Sequence, residues 1–303
     1  MNNSDAQKIA FFGTPQFAVT ILEELKTAGL MPALIITAPD KPQGRGMIMT
    51  PPPVKVWAEI NKIKVIQPTT LKENADEKNS PMSQLAELTN QPWDLFIVAA
   101  YGKIIPENIL GIPKHKTLNV HPSLLPKLRG PSPIETTILN DDRDVGVTIM
   151  RLDKEMDHGP IVAQEKLPPE KNTEGNEVWP INATILENAA AIAGGALLAQ
   201  TIPNWIAGKI VEKEQDHTKA TYCKKITKAD GLIDLFTDPY QNYLKICAYS
   251  GWPGTHFFQK SVGKNIRVTI KKAHYKDGQL TIETVVPEGK SEMPYQDFLR
   301  GIK

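Results

Sequence analysis

The chain has 303 residues, of which 41% are hydrophobic and 23% charged, and its net charge at pH 7 is +1. This composition argues against a disordered or fibrous protein and fits about two globular domains of roughly 150 residues each. Two cysteines argue against a disulfide scaffold, there is no long uninterrupted apolar run, and the opening MNNSDAQK lacks a secretory pattern, so we expect a cytoplasmic protein without a membrane segment.

The first two thirds of the chain alternate short apolar runs with stretches of helical periodicity. KIAFFGT, Lys8–Thr14, predicts a buried strand that enters a turn, and DLFIVAAYG, Asp94–Gly102, predicts a strand covered on both faces. This alternation predicts an α/β fold with a doubly wound, mostly parallel sheet. The other predicted strands are Pro32–Ala38, Lys64–Pro68, Thr117–His121, Val145–Leu152 and Gly159–Leu167, and the predicted helices are Phe17–Leu25, Val54–Lys62 and Ala183–Ile202.

The last third of the chain is predicted to be a small β-rich domain. Arg267–Tyr275 and Gln279–Val286 flank the residues KDG, which indicates a hairpin. From residue 209 onward there are 16 Lys and Arg against 11 Asp and Glu, a balance of +5, whereas the rest has 19 against 23, a balance of −4. This split is compatible with a polyanion partner for the C-terminal part, although a charge difference of this size is more often simply a solvated surface. We place the domains at 1–190 and 209–303, with a linker helix at 191–208.

Common nucleotide-binding and covalent catalytic motifs are absent from the sequence. The first turn, FFGTPQFA, has one glycine where a dinucleotide fingerprint needs three, and neither a phosphate loop nor a GxSxG elbow is present. The cysteine and histidine spacings indicate no metal site. The available groups suit transfer between two bound substrates by proton removal and oxyanion stabilisation.

The stretch LNVHPSLLPKLRG begins as a strand and ends as a loop with two prolines and two cations. Asn119 and His121 are two residues apart, so they share one side of the strand, near the sheet edge where α/β proteins bind ligands. An asparagine can donate to a developing oxyanion, and a histidine can take a proton near neutral pH. An acid to orient the histidine could be Asp153, Glu155 or Asp157. A capping asparagine, a core histidine and a turn aspartate are the alternative reading.

The stretch Thr37–Lys55 has five prolines, two glycines and three cations between a predicted strand and helix. It is longer than the usual connection of about 2–6 residues, and such loops are often functional. Arg45 lies between two glycines, and its permanent charge suits a phosphate contact. An incidental arginine in an insertion is the alternative.

Taken together, these motifs resemble those of the methionyl-tRNA formyltransferase family, within the formyltetrahydrofolate-dependent formyltransferases, over nearly the whole chain. The Asn-x-His pair with a later Asp is shared by that whole superfamily. The Pro/Gly/Arg loop and the C-terminal domain point to the tRNA enzymes. The matching segments are FFGTPQFA, PDKPQGRG, VAAYGKIIP, NVHPSLLPKLRG, MDHGPI, TYCKKITKADGLID and PEGKSEMPYQDFLRG.

The resemblance implies a fold, an activity and partners. The fold is a Rossmann-type catalytic domain joined to a small C-terminal open β-barrel of OB-like form. The activity is transfer of the formyl group of 10-formyltetrahydrofolate to the α-amine of methionyl initiator tRNA, for translation initiation. No metal takes part, and the family suggests a monomer.

The resemblance also implies residue roles. Asn119 would stabilise the tetrahedral oxyanion, His121 would serve in proton transfer and oxyanion stabilisation, and Asp157 would orient His121 and help to move the amine proton. Arg45 would approach the acceptor end of the tRNA, and the basic C-terminal domain would hold its stem through phosphate contacts. The residues implied along the folate are Ser123, Leu124, Leu125 and Pro126, and those implied at the pterin pocket are Tyr101, Gly102, Ile104 and Ile105.

The sequence departs from the family pattern without losing a catalytic group. His158 replaces a residue that is often small, Leu128 and Leu235 replace frequent tryptophans, and RGPSP replaces the commoner RGAAP. Three other functions fit the same chemistry or scaffold: formylation of a sugar-nucleotide amine, formylation of a purine precursor, and silent RNA binding. The basic β-rich domain and Arg45 argue against the first two, and the complete catalytic motif argues against the third.

Overall fold

The structure is a computed structural model that describes residues 7–44, 46–71, 82–261 and 264–302. The chain divides into two compact units, each with its own sheet. This division into compact units does not test the domain boundaries predicted at residues 190 and 208, which stay a prediction. The first unit contains the chain up to Arg129, Gly146–Leu167 and Asn188–Tyr222, and the second contains Gly130–Val145, Pro168–Glu187 and the chain from Cys223.

The first unit is built on a seven-stranded sheet. The described strands of this unit are β1 (Ile9–Gly13), β2 (Leu34–Ile36), β3 (Lys41–Gln43), β4 (Ile48–Thr50), β5 (Lys64–Ile66), β6 (Leu95–Ala99), β7 (Thr117–His121), β8 (Gly146–Arg151) and β9 (Ile161–Lys166). Strands β3 and β4 form a separate hairpin, and the others lie in the order β5-β2-β1-β6-β7-β8-β9. The first five in that order are parallel, whereas β8 runs antiparallel to both β7 and β9.

Strands β1, β6 and β7 are buried along their whole length. Parallel strands covered on both faces need continuous apolar sequence, which explains their composition. The Phe12 ring packs 5.3 Å from Phe96 and 5.5 Å from Tyr101, between ring centroids. The α-helices of the described residues are α1 (Gln16–Thr27), α2 (Pro53–Ile60), α3 (Met82–Thr89), α4 (Glu107–Leu110), α5 (Pro133–Leu139), α6 (Ala183–Ile206), α7 (Pro239–Ala248) and α8 (Tyr295–Arg300).

Helix α6 packs closely on the first unit through two glycines. A Cβ on Gly194 would lie 2.7 Å from Val120 of β7, and one on Gly195 would lie 2.7 Å from Glu24 of α1. Among the described residues, α6 is the one helix whose length and composition would let it cross a membrane. Those criteria are also met by core helices of soluble proteins, and α6 buries Ala190, Leu198 and other apolar residues completely.

The second unit contains a four-stranded antiparallel sheet, β10 (Thr255–Ser261), β11 (Lys264–Lys276), β12 (Gln279–Pro287) and β13 (Met293–Pro294), in that order. Its core includes Phe257, Val268, Val285 and Phe298, and α5 packs on α7 in the same unit. The turn between β11 and β12 uses Asp277 and Gly278 at positive φ, as the KDG signal predicted.

The predicted α/β class with a C-terminal β-rich part is confirmed. The strand predicted at Pro32–Ala38 is shorter, Leu34–Ile36, and the helix predicted at Val54–Lys62 is Pro53–Ile60. The interpretation of Thr37–Lys55 as pure loop is wrong, because it contains the β3–β4 hairpin. The sequence analysis also missed α3, α4, α5, α7, α8, β10 and β13.

Candidate active site

Strand β7 carries Asn119 and His121 on one side of the sheet, with exposed fractions of only 8% and 4%. Asn119 pairs in register with Val98 of β6 and with Met150 of β8, so it lies within the sheet rather than at its margin. The intervening Val120 faces Gly194 of α6. The predicted pairing of an amide and an imidazole on one face is therefore present, in a site largely closed to solvent.

The His121 ring contacts a different group through each of its nitrogens. Nε2 lies 2.9 Å from the carbonyl oxygen of Leu128, and Nδ1 lies 3.7 Å from Oδ1 of Asp157. A carbonyl oxygen only accepts hydrogen bonds, so Nε2 carries a hydrogen and donates it. Nδ1 is consequently the nitrogen that faces the carboxyl group and is available for proton exchange.

Asp157 lies in the connection between β8 and β9, and its backbone has a φ of 50°. This left-handed conformation is uncommon for residues other than glycine and marks a strained turn that the surroundings must hold. The side chain is 13% exposed. Gly159 closes the same turn, where a Cβ would lie 2.0 Å from the carbonyl oxygen of Arg151. Of the three candidate acids, Asp157 is the one beside His121. Asp153 instead accepts a hydrogen bond from Nδ1 of His158 at 2.8 Å.

The Asn119 side chain makes no hydrogen bond to any described residue, although the residue is buried. Buried amides are normally satisfied, and a side chain left without a protein partner near the carboxyl end of a strand is available to a ligand. Its NH2 group can donate to a carbonyl or oxyanion oxygen. The alternative reading of Asn119 as a capping residue finds no support in its contacts.

The loop Ser123–Pro126 follows β7 and is held by β8 and β9. The Thr148 hydroxyl donates to the Ser123 carbonyl oxygen at 2.6 Å and accepts from the Leu125 amide at 3.2 Å. Gln164 donates to the Leu125 carbonyl oxygen at 3.0 Å and to the Thr148 hydroxyl at 2.8 Å. The sequence analysis missed Thr148 and Gln164. The one signal was for Thr148, a hydroxyl within the apolar run of β8.

The segment Tyr101–Ile105 follows β6, the strand beside β7, so it starts at the same edge of the sheet as the Asn119 site. Ile105 is buried, whereas Ile104 is 79% exposed and Gly102, with a φ of 77°, is also exposed. Lys103 donates to the carbonyl oxygens of residues 68 and 69 at 2.7 and 3.0 Å. Burial, and then the charge of Lys41, lower the pKa of its amine.

Two buried hydroxyls at this end of the sheet have no hydrogen-bond partner among the described residues. They belong to Tyr101, after β6, and Thr37, after β2. Burial raises the pKa of the Tyr101 hydroxyl, which therefore stays protonated and able to donate. Unpaired buried hydroxyls are costly, so each marks a position where a polar ligand group would be stabilised.

Arg45 lies outside the described residues, so its contacts are not known. The hairpin around it exposes the side chains of Met47, Ile48 and Met49. Among residues 7–44, 46–71, 82–261 and 264–302, no group of three or more His, Cys, Asp or Glu side chains is arranged to hold a metal ion.

Known proteins are similar to this chain over most of its length. The family described as Formyl transferase matches residues 7–178. A methionyl-tRNA formyltransferase of Geotalea daltonii is 34% identical, over 98% of this chain and 96% of that protein. Another, of Herpetosiphon aurantiacus, is 36% identical over 98% of each chain.

The solved methionyl-tRNA formyltransferase from Clostridium thermocellum matches with a TM-score of 0.57 and 16% identity, covering 93% of this chain and 98% of that one. At this identity the match shows the fold alone. The sequence relatives show the family, because they combine identity above 30% with nearly complete coverage of both chains. The chain therefore belongs to the formyl transferase family and, within it, to the methionyl-tRNA formyltransferases.

Proposed function

We propose that the protein transfers the formyl group of 10-formyltetrahydrofolate to the α-amine of methionyl initiator tRNA, acting as a cytoplasmic monomer. The observation that carries the proposal is that Asn119 and His121 share one side of β7 and that Asp157 lies 3.7 Å from His121, in a chain similar throughout to methionyl-tRNA formyltransferases. The amine attacks the formyl carbon, a tetrahedral intermediate forms, and the bond from that carbon to N10 of the folate breaks. The amine loses a proton and N10 gains one.

Asn119 stabilises the oxyanion of that intermediate. The residue is 8% exposed and its side chain makes no hydrogen bond to a described residue, so no competing protein partner must be displaced when the formyl oxygen arrives. Removal of such an oxyanion donor costs about 100- to 1,000-fold in rate.

His121 and Asp157 transfer the proton from the attacking amine to N10 of the folate. Because Nε2 of His121 donates to the Leu128 carbonyl oxygen, the exchange runs through Nδ1, which faces Asp157 at 3.7 Å. With Asp157 ionised, a protonated Nδ1 is stabilised by the carboxylate; the same carboxylate can accept the amine proton. The pair holds the proton until N10 takes it.

The folate lies along Ser123, Leu124, Leu125 and Pro126 in this proposal, and its pterin ring reaches the segment that contains Tyr101, Gly102, Ile104 and Ile105. The support is the position of both segments at the carboxyl ends of neighbouring parallel strands, where open α/β sheets bind ligands. A similar solved structure, an N-formyltransferase from Helicobacter canadensis with a TM-score of 0.60 and 18% identity over 91% of this chain and 95% of that one, is a complex with folinic acid and dTDP-3-aminofucose. Arg45 and the basic residues after 209 would contact the tRNA.

The test is formyl transfer from 10-formyltetrahydrofolate to purified methionyl initiator tRNA, with uncharged tRNA and a sugar-nucleotide amine assayed in parallel. Transfer to the charged tRNA alone supports the proposal. Transfer to the sugar amine but not to the tRNA would keep the chemistry and overturn the substrate. Asn119→Ala and Asp157→Ala should each lose at least about 100-fold in rate, while Asn140→Ala, at an exposed helix end, should not.

A further inference from the structure

Two buried polar residues outside the reacting groups, Arg129 and Gln215, link the two protein groups that contact the His121 ring. We propose that Gln215, held by Arg129, is a positioning residue that sets the place of Asp157 relative to His121. The inference rests on the proposed function, because it assigns a role in that reaction. Arg129 is 2% exposed and Gln215 is 4% exposed.

Gln215 holds the strained Asp157 turn directly. Its Nε2 donates to the carbonyl oxygen of Asp157 at 2.9 Å and to that of Gly159 at 2.7 Å. Its Oε1 accepts from Nε and Nη2 of Arg129 at 3.1 and 2.7 Å. A guanidinium only donates and carbonyls only accept, so the opposite orientation of the amide would break all four bonds. The amide is therefore locked in one orientation.

Arg129 also belongs to the segment that presents the second partner of His121. The Arg129 amide donates to the Thr221 carbonyl oxygen, and the Leu128 amide donates to the Thr221 hydroxyl, both at 2.9 Å. Leu128 has a φ of 58°, which is costly for a bulky residue. In this conformation, the Leu128 carbonyl oxygen accepts the hydrogen bond from His121 Nε2. One segment, residues 215–221, thus contacts both residues that flank the His121 ring.

A stacked histidine pair adds a third contact to the Asp157 turn. Arg129 Nη2 donates to Nδ1 of His217 at 2.8 Å, because a guanidinium only donates. Its ring stacks on His158, with centroids 4.1 Å apart and planes 3° apart. His158 directly follows Asp157 and contacts Asp153 at 2.8 Å. His158 is therefore packed against the Arg129 network through His217.

The substitution Gln215→Glu removes the donor to the Asp157 turn and keeps the contact with Arg129. A glutamate keeps an acceptor for Arg129 but replaces the amide donor with an oxygen, which cannot bond to the carbonyls of Asp157 and Gly159. We expect kcat to fall by about 10- to 100-fold, the cost of a small misplacement in an active site, with KM for both substrates within about threefold. The melting temperature should also fall, because two buried carbonyl oxygens lose their donor, so the kinetics are measured well below it. Gln241→Glu, the same change at an exposed site of α7, should have no effect.

A double-mutant cycle decides whether the effect runs through Asp157. In an Asp157→Asn background the carboxylate is already removed, so Gln215→Glu should lower kcat by less than about threefold there. Equal reductions of kcat by Gln215→Glu in both backgrounds would overturn the proposal.

Hydrogen–deuterium exchange of the peptide that covers residues 155–161 gives a readout that needs no substrate. Exchange should be faster in Gln215→Glu than in wild type and Gln241→Glu, and unchanged exchange would also overturn the proposal. An inactive wild type would instead refute the proposed function.

Discussion

His121 has one nitrogen committed to structure and the other available for chemistry, and two substitutions can separate these roles. In His121→Gln, the side-chain amide can replace Nε2 as donor to the Leu128 carbonyl oxygen, but nothing replaces Nδ1. We expect turnover to fall by at least about 100-fold while the melting temperature stays within about 2 °C of wild type. His121→Ala should lose both activity and stability. The measurements are single-turnover formyl transfer and thermal unfolding.

A His121→Gln protein that turned over normally would refute the assignment of proton exchange to Nδ1. A protein as unstable as His121→Ala would show instead that the Leu128 contact is not what holds the ring. The two readouts therefore test the chemical and the structural role of the same side chain independently.

Residue-scale prediction from sequence succeeded where spacing alone determines the geometry. Asn119 and His121 are two apart, so a strand of any register places them on one side, and their burial follows from the apolar neighbours. Gln215 could not be found in this way. It contacts Asp157 across 58 residues, and no local periodicity reports a contact of that separation. Arg45 lies outside the described residues, so its predicted role is still open.

At the scale of elements, the close approach of α6 to β7 makes a specific prediction about Gly194. A Cβ there would lie 2.7 Å from Val120, the residue between Asn119 and His121. We expect Gly194→Val to destabilise the protein by about 1–3 kcal/mol through overpacking and to lower kcat by displacing β7. Ile192→Val, at an exposed site of the same helix, is the control. Denaturant unfolding and transfer assays measure both effects, and a fully active, fully stable Gly194→Val would contradict this packing.

Helix α5 carries a carboxyl group whose titration should affect stability. Burial raises the pKa of Glu135, and the charge of Glu187 adds to the rise, above the ordinary value of 4.5. The ionised form is thus disfavoured in the folded protein. At pH 4 and below the group is protonated in both states and costs nothing, whereas the cost is complete once the pH exceeds the folded-state pKa.

Glu135→Gln should therefore raise the melting temperature at pH 7, by about 1–4 °C for a change of up to 1 kcal/mol, and should leave it unchanged at pH 4. Glu288→Gln, at an exposed site of the second unit, should change neither value. A gain that was equal at both pH values would show that burial of the charge is not the cause.

Element prediction succeeded for the long apolar strands and failed for short polar elements. The β3–β4 hairpin exposes nearly all its residues, so it leaves no period-two apolar signal. The start of helix α7, in contrast, is visible in the sequence. Asp238 caps it by accepting from the amides of residues 240 and 241, and Pro239 occupies its first position, a common start of a helix.

For the whole molecule, the charge difference between the two parts of the chain predicts salt-dependent tRNA binding. Removing one cation that touches a phosphate should reduce the slope of log K against log salt by about 1. Arg45→Ala should weaken tRNA binding and reduce this slope, with folate affinity unchanged. Lys26→Ala removes a cation at the exposed end of α1 and serves as the control. A fall in folate affinity in Arg45→Ala would place the arginine at the cofactor instead.

The buried hydroxyls of Tyr101 and Thr37 should lower the stability of the ligand-free protein and raise its affinity for a ligand. Each buried hydroxyl without a partner among the described residues costs about 1–3 kcal/mol in the ligand-free fold, and a ligand group that bonds to it recovers that energy on binding. Tyr101→Phe should accordingly make the free protein more resistant to heat and a worse binder of folate. Selection for a thermostable variant would favour this phenylalanine, and selection for turnover at low folate concentration would favour the tyrosine.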